Sequence, residues 1–534
     1  MKNKIIYFFL ILFGFSSCQF PSLDQPITYY ALIALIRGNN SNSSAEVDYR
    51  LSVIYNGRQY NPGETIDLGM GDAFEPRVLP ATIKNTGTKE FSLSSEASPI
   101  ITSNSDGVLS LESSSQVPTI WQPGSEHPIE IHVSPGSDEN NSWSVSIDAV
   151  SPVANRFNFN LSMLGIVVRP KKIFFGVHDP MAEKGLYSVD WDSETNTLSN
   201  VVQRSNADQA TFSGSRFTSA NTSKFIYYYS TSTTLDGFQL DSNSNLIALP
   251  QYTNGTAYFK MYSIEAVKRL ALVQNVGGFS TASYDLVSGS VNAPSAALGM
   301  LCSSSYLIPS PKGDFIFENY YYYNIGPGQI NVKRLASDGN LTEVYPSPFY
   351  YVDTTLANNL SMSFKTRGNN YIYSVSRTGS PVPSSFKVDS ILRRTVDSDG
   401  MISSVDKEYT LNAYGASYDR VIRHPNDKFI YLVGLSAGTQ GIIHVLNHDA
   451  RTGDITRINT LTKASAQNAY DGAVSPDGKF LAVLFRVNTS GCPTCQENIH
   501  IYSIDPITGD LTEKHSIIRN QKFNGIYWLG KVSQ

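Results

Sequence analysis

The side chains best suited to chemistry are a cysteine pair and two histidine pairs. Cys492 and Cys495 stand in GCPTCQ, a spacing used by redox and zinc sites. Zinc would need two further ligands, and no second CxxC supplies them. A redox pair would be expected at a helix N-terminus beside a βαβ unit, whereas this one falls between two strand-like runs. The leading reading is a disulfide that staples a loop, with metal or redox work and free thiols as alternatives. His127 and His132 flank one strand-like run with no third ligand in register and read as surface histidines. His444 and His448, in IIHVLNHD, sit at even spacing on one strand face, where cross-strand packing near the rim outweighs metal binding. No metal site and no cofactor is expected.

The elements that would position these groups begin after an export signal. MKNKIIYFFLILFGFSSCQF carries Lys2 and Lys4, an apolar run from Ile5 to Phe15, and Ser16 and Ser17 before Cys18. That run is far short of the roughly 20 residues that span a bilayer. FSSC resembles a lipobox in the loose form found in spirochaete-like lipoproteins. The resemblance implies residues 1–17 as signal peptide, Cys18 as the lipidated (palmitate-type) N-terminus, and 18–46 as a tether containing TYYALIALI and GNNSNSSAE. Several buried acyl chains give stable anchoring, so the membrane is an expected partner and the outer membrane or cell surface the expected location. Losing Lys2 and Lys4 moves the formal charge from −5 to −7. That balance excludes a nucleic-acid footprint, which needs clustered Lys and Arg.

From 47 to 169 short alternating runs are broken by turns: DYRLSVIY, LPATIKNTGTKEFSLSS, HPIEIHVSP, SWSVSIDAV and FNFNLSMLGIVV. No 3.6-residue period is sustained, which predicts an antiparallel sandwich. IKNTG followed by FSLSS, QPG before a middle strand, and the NFNLSMLG close together resemble the immunoglobulin-like choice-of-anchor D or ASH-type domain. The resemblance implies a spacer or adhesion module.

After that the punctuation changes period. LYSVDWDSETNTLSN, GFQLDSNSNLIAL, SYDLVSGSVNA, NVKRLASDGNLTE, LRRTVDSDGMISS, VLNHDARTGDITR and IYSIDPITGDLTE share one plan of strand, polar turn and strand restart. Upstream of each lies a second piece, from KKIFFGV through DKFIYLVG to GKFLAVLF. Seven units of about 50 residues over 170–534 match four-stranded blades. The first unit opens at the second strand of the plan, and FNGIYWLGK is left over at the end of the chain. Ring closure by Asn524 to Gly530 predicts a seven-bladed β-propeller, and the whole chain is all-β, a β-sandwich followed by that propeller. The recurring Asp190, Asp241, Asp449 and Asp505 are expected to cap turn amides.

The paired motif SPDGKFLAV and IHIYSIDPITGDLTE resembles the lactonase-type propellers, the 6-phosphogluconolactonase family, over about two-thirds of the chain. Members carry candidate groups in a segment like R-H-x-x-F-H-P-x-G. Here Arg420 and His424 match that pattern, Val421 replaces its first His, and the obvious base is lost. Asp419, Arg420 and Asp471 fall on inner segments of adjacent blades and could line the channel as ligand-binding groups or as a structural ion pair. Two functions compete. One is a lipid-anchored binding or scaffold platform for an envelope or extracellular protein or glycan; the other is an exported lactonase-like hydrolase using Arg420, His424 and Asp471. The lean is toward binding without catalysis.

Overall fold

The computed structural model describes residues 49–75, 77–93, 100–103, 107–112, 120–151, 155–179, 184–205, 217–220, 223–274, 278–299, 306–310, 312–320, 329–345, 351–352, 360–366, 370–376, 390–411, 417–436, 440–449, 452–463, 467–487, 497–519 and 521–532. Cys18, Cys302, Cys492, Cys495 and the 28–36 apolar stretch lie outside the described residues. Strands make up most of the described chain, with one short 3-10 turn at Glu265–Val267. No helix among the described residues is long and apolar enough to cross a membrane.

The N-terminal strands form two sheets. One runs in the order Arg58–Tyr60, Leu51–Tyr55, Arg77–Asn85, Glu126–Ser134, Val108–Glu112; the other runs Thr65–Asp72, Asn155–Ile166, Asn140–Ser151, Phe91–Leu93, Ile120–Trp121, with Ile100–Ser103 also on Asn140–Ser151. Alternate residues of both sheets meet in one core around Trp121, Trp143, Phe157 and Ile131. The expectation of purely antiparallel pairing needs one correction, because Thr65–Asp72 pairs in parallel with Asn155–Ile166. The NTG and QPG turns meet. Asn85 is fully buried, accepts from Gly87 N at 2.9 Å, and donates to Lys89 O and Trp121 O. Its own carbonyl accepts from Gly124 N at 2.8 Å. His127 corrects another expectation. It shares the inward parity of Ile129 and Ile131, so it is buried edge-on to Trp121, while His132 faces out beside Glu130.

The remaining strands form seven sheets, each a run of four antiparallel strands, with an extra short strand on two of them. Blade 1 is completed by the last strand, Lys522–Val532, which pairs antiparallel with Val168–Asp179. The ring is thus closed by the C-terminal segment, as the leftover FNGIYWLGK predicts. Every junction between neighbouring blades has its own apolar cluster: 1 with 2, 2 with 3, 3 with 4, 4 with 5, 5 with 6, 6 with 7, and 7 with 1. These sheets form a seven-bladed β-propeller.

The second strand of blade 7, Phe480–Val487, shows why these strands read as continuous apolar runs. Leu481, Val483 and Phe485 face blade 6, and Phe480, Ala482 and Leu484 face blade 1. A strand buried on both faces has no polar parity to spare.

The outer hairpins also lock the blades together. Gly509 has φ +73, and a Cβ there would lie 2.5 Å from Phe429 of the preceding blade. Gly453 stands in the same relation to Tyr371, and Gly400 to Phe315. The recurring turn glycine and the recurring aromatic at the start of the second strand are therefore two halves of one contact. Asp505 accepts from Ile507 N and Thr508 N at 2.9 and 2.8 Å, which holds its carboxyl below the ordinary range. Asp241 and Asp449 also accept from turn amides. Asp190 departs from the expectation. Asp192 caps that turn, while Asp190, two residues earlier, pairs with Lys172 and Asn200.

Candidate functional site

The innermost strands line the channel, and several carry a one-residue register shift against their neighbours. It falls between Tyr418 and Arg420 in blade 6, Ala469 and Asp471 in blade 7, and Asn524 and Ile526 in blade 1. Blades 3 and 5 have the same shift after Tyr258 and Leu360. The extra residue in each, Asp419, Tyr470 and Gly525 among them, is a β-bulge, which re-aims the side chains beside it.

These shifts bring three of the four candidates together. Arg420 Nε lies 3.3 Å from Asp471 Oδ1, and Asn468 Nδ2 donates to Asp419 Oδ2 at 3.0 Å. Gly472 N also donates to Asp471 Oδ1, at 2.8 Å. Burial pushes the Asp471 carboxyl up, against the pull of Arg420, and the Asp419 charge adds to the rise. Tyr527, from the closing strand, has its phenol raised by burial while Arg420 and Thr218 interact with its hydroxyl. Thr218 belongs to the innermost strand of blade 2, Phe217–Ala220, so blades 6, 7, 1 and 2 contribute to one polar cluster. Asn468 Oδ1 is buried and has no hydrogen-bond partner among the described residues.

His424 is elsewhere. It follows the innermost strand Ser417–Arg423, four residues beyond Arg420, or roughly 13 Å along an extended chain. Its Nδ1 meets Asn426 Oδ1 at 2.6 Å and its Nε2 meets Gly478 O at 2.8 Å. The ring is buried edge-on to Phe74 of the sandwich and Phe429. Its two nitrogens hold its own turn and a contact to blade 7, and its ring makes the domain contact.

His444 and His448 lie deeper than the rim position expected of them, between blades 5 and 6. His444 Nδ1 pairs with Thr460 Oγ1 at 2.7 Å, and His448 Nε2 meets Thr366 Oγ1 and Tyr373 OH at 3.1 and 3.2 Å. Among the described residues no group of three His, Cys, Asp or Glu could hold a metal ion.

Tyr527, Thr218 and Asn468 were not singled out in the sequence. The usable signal was positional, since Asn468 and Tyr527 lie in segments recognisable as innermost strands. Glu497 was missed as well. It is fully buried, bonded to Tyr470 OH and Arg486 Nε at 2.6 Å each, and it also accepts from Phe523 N. It ties the bulged residue of blade 7 to the start of the closing strand.

No family model and no curated protein matches the chain. Solved structures similar to it include a 6-phosphogluconolactonase candidate from Bacteroides fragilis, 15% identical, covering 67% of this chain and 98% of that one with a TM-score of 0.46. The periplasmic gluconolactonase of Pseudomonas aeruginosa is 12% identical, covering 67% and 99%, also at 0.46. A quinoprotein alcohol dehydrogenase-like protein from Bacteroides thetaiotaomicron is 12% identical, covering 88% and 97%, at 0.39.

Proposed function

We propose that this is a lipid-anchored cell-envelope protein with an immunoglobulin-like, choice-of-anchor-D-type sandwich as its stalk and the propeller as a binding platform. Its channel cluster takes a hydroxyl-rich ligand of the glycan type. The observation that carries this reading is the mixed donor and acceptor set built by Asp419, Arg420, Asn468, Asp471 and Tyr527 around the 3.3 Å Arg420–Asp471 pair. Sugar hydroxyls both donate and accept, so carboxylates beside a guanidinium and a phenol suit them. A phosphate or polyanion would meet the Asp419 charge.

The raised Asp471 carboxyl favours a second reading, hydrolysis of a sugar lactone with Asp471 as base and Arg420 facing the developing oxyanion. It is the weaker one, because Asp471 Oδ1 already meets both Gly472 N and Arg420, and His424 is committed elsewhere.

Calorimetric titration of neutral glycans against wild type, Asp419→Asn and Arg420→Ala separates the two, run beside a sugar-lactone turnover panel. Binding that weakens at least tenfold in both variants, without turnover, supports the platform. Turnover abolished by Asp471→Asn would replace it with the hydrolase. Cys18→Ala should abolish lipid labelling, and retained labelling would refute the anchor.

A further inference from the structure

The corner Asp72–Glu75, between the sandwich strands Thr65–Asp72 and Arg77–Asn85, reaches four blades at once. Asp72 Oδ1 is 3.7 Å from Lys224 Nζ and Glu75 Oε1 is 4.0 Å from Lys268 Nζ, in blades 2 and 3. Phe74 packs on His424 of blade 6, ring centroids 5.9 Å apart, and lies 3.2 Å from where a Cβ on Gly478 of blade 7 would stand.

All four partners belong to connections between an innermost strand and the second strand of its blade, so they share one face of the ring. Blades 3 and 6 are separated by two blades on one side and three on the other. A four-residue segment spans at most about 14 Å. One that touches both sides must lie over the axis.

The corner is built to hold that position. Ala73 N donates to Ile166 O at 3.0 Å, Phe74 N to Pro135 O at 2.7 Å, and Glu75 N to Asp72 O at 3.1 Å. Phe74 adopts φ +62, a left-handed conformation that a bulky side chain keeps only when its surroundings over-determine it. Ala73, Phe74 and Val167 form a small buried cluster at the domain junction.

We infer that the Asp72–Glu75 corner is a stopper seated across the channel mouth on the face of the first-to-second-strand turns. The channel is then a blind pocket entered from the opposite face. The stopper stands whatever the ligand is. Its consequence, that the channel accepts a small molecule or a chain end and not a polymer threaded through, rests on the ligand reading above.

Two measurements on the full chain test it. Zero-length carbodiimide crosslinking of the wild type, read by peptide mass spectrometry, should join Asp72 to Lys224 and Glu75 to Lys268. Hydrogen exchange of Phe74→Ala against wild type should accelerate at least tenfold at 424–427 and 475–478, with the outer turn Asp505–Gly509 unchanged and Phe74→Leu near wild type. Crosslinks to both lysines with acceleration at both turns support the stopper. Absence of both crosslinks, or unchanged exchange at 424–427 and 475–478, overturns it, and neither result depends on whether any glycan or lactone is recognised.

Discussion

Gly509→Ala isolates the contact that repeats around the ring. Gly509 combines φ +73 with a Cβ position 2.5, 2.7 and 2.9 Å from Phe429 Cδ1, Cε1 and Cγ. Two costs add there. A left-handed backbone costs a residue with a Cβ about 1–2 kcal/mol. Forcing a methyl against a packed ring costs about 1–3 kcal/mol more, so the variant should lose about 2–5 kcal/mol. The two parts separate in a double-mutant cycle, because Phe429→Val removes the ring but leaves the turn conformation alone. In that background the Gly509→Ala cost should fall to the backbone part, a coupling of about 1–3 kcal/mol. Urea unfolding followed by tryptophan emission reads it, since Trp191 and Trp528 sit in the cluster joining blade 7 to blade 1. Equal Gly509→Ala costs in both backgrounds would show that the turn glycine is required only for its φ, and the inter-blade lock would be refuted.

Other expectations are equally concrete. Burial, with Arg457 adding to it, lowers His444 from 6.5 to about 4. The stability this confers is fully present above pH 6.5 and is lost as pH falls toward 4. It amounts to about 3 kcal/mol, so urea midpoints should fall across that window in wild type and fall less in His444→Asn; parallel curves would count against it. His448 and His500, also lowered chiefly by burial, act with the same sign. Glu497→Ala removes the buried acceptor of Tyr470 OH and Phe523 N, beside a partly exposed Arg486, and should cost about 2–4 kcal/mol, whereas a change under about 1 kcal/mol in the same urea assay would show that Tyr470 and Phe523 are satisfied without it. Removing residues 522–534 strips blade 1 of its innermost strand and should replace one cooperative propeller transition by a broad one in calorimetry; an unchanged transition would refute closure by that strand.

Much of the architecture was legible because its signals are local. Period-2 alternation, an Asp that caps its own turn, and a glycine at a positive-φ position are set within a few residues. The first unit lacked an inner strand and the last segment lacked a partner, so closure could be inferred before any pairing was seen. The parallel strand Thr65–Asp72 escaped because parity and turns do not encode the direction of a distant partner. His127 resembles a surface histidine when taken alone, although its parity with Ile129 and Ile131 is visible in HPIEIHVSP. The cap assigned to Asp190 belongs to Asp192, since a slip of two residues keeps the parity and hides the error.

The candidate site was legible only in part. Asp419, Arg420 and Asp471 could be placed on inner segments from the repeat plan. Their pairing depends on a one-residue bulge in each of two strands, and a bulge leaves no compositional mark in SYDRVIR or NAYDGAV. His424 is matched to the second His of the motif through the His-Pro pair it forms with Pro425, although it stands one residue nearer to Arg420 than the motif requires. Its environment is set instead by Phe74, 350 positions earlier in the chain.

By itself, the sequence determined the strands, their turns, the sevenfold repeat and the segment that closes it, because each follows from side-chain parity and turn stereochemistry over a handful of residues. Only the tertiary structure decided which channel groups meet, which histidine is committed to a domain contact, and that a sandwich corner lies across one mouth of the ring. Those outcomes rest on contacts between residues far apart in the chain, whose register and docking are settled by the packing of whole sheets.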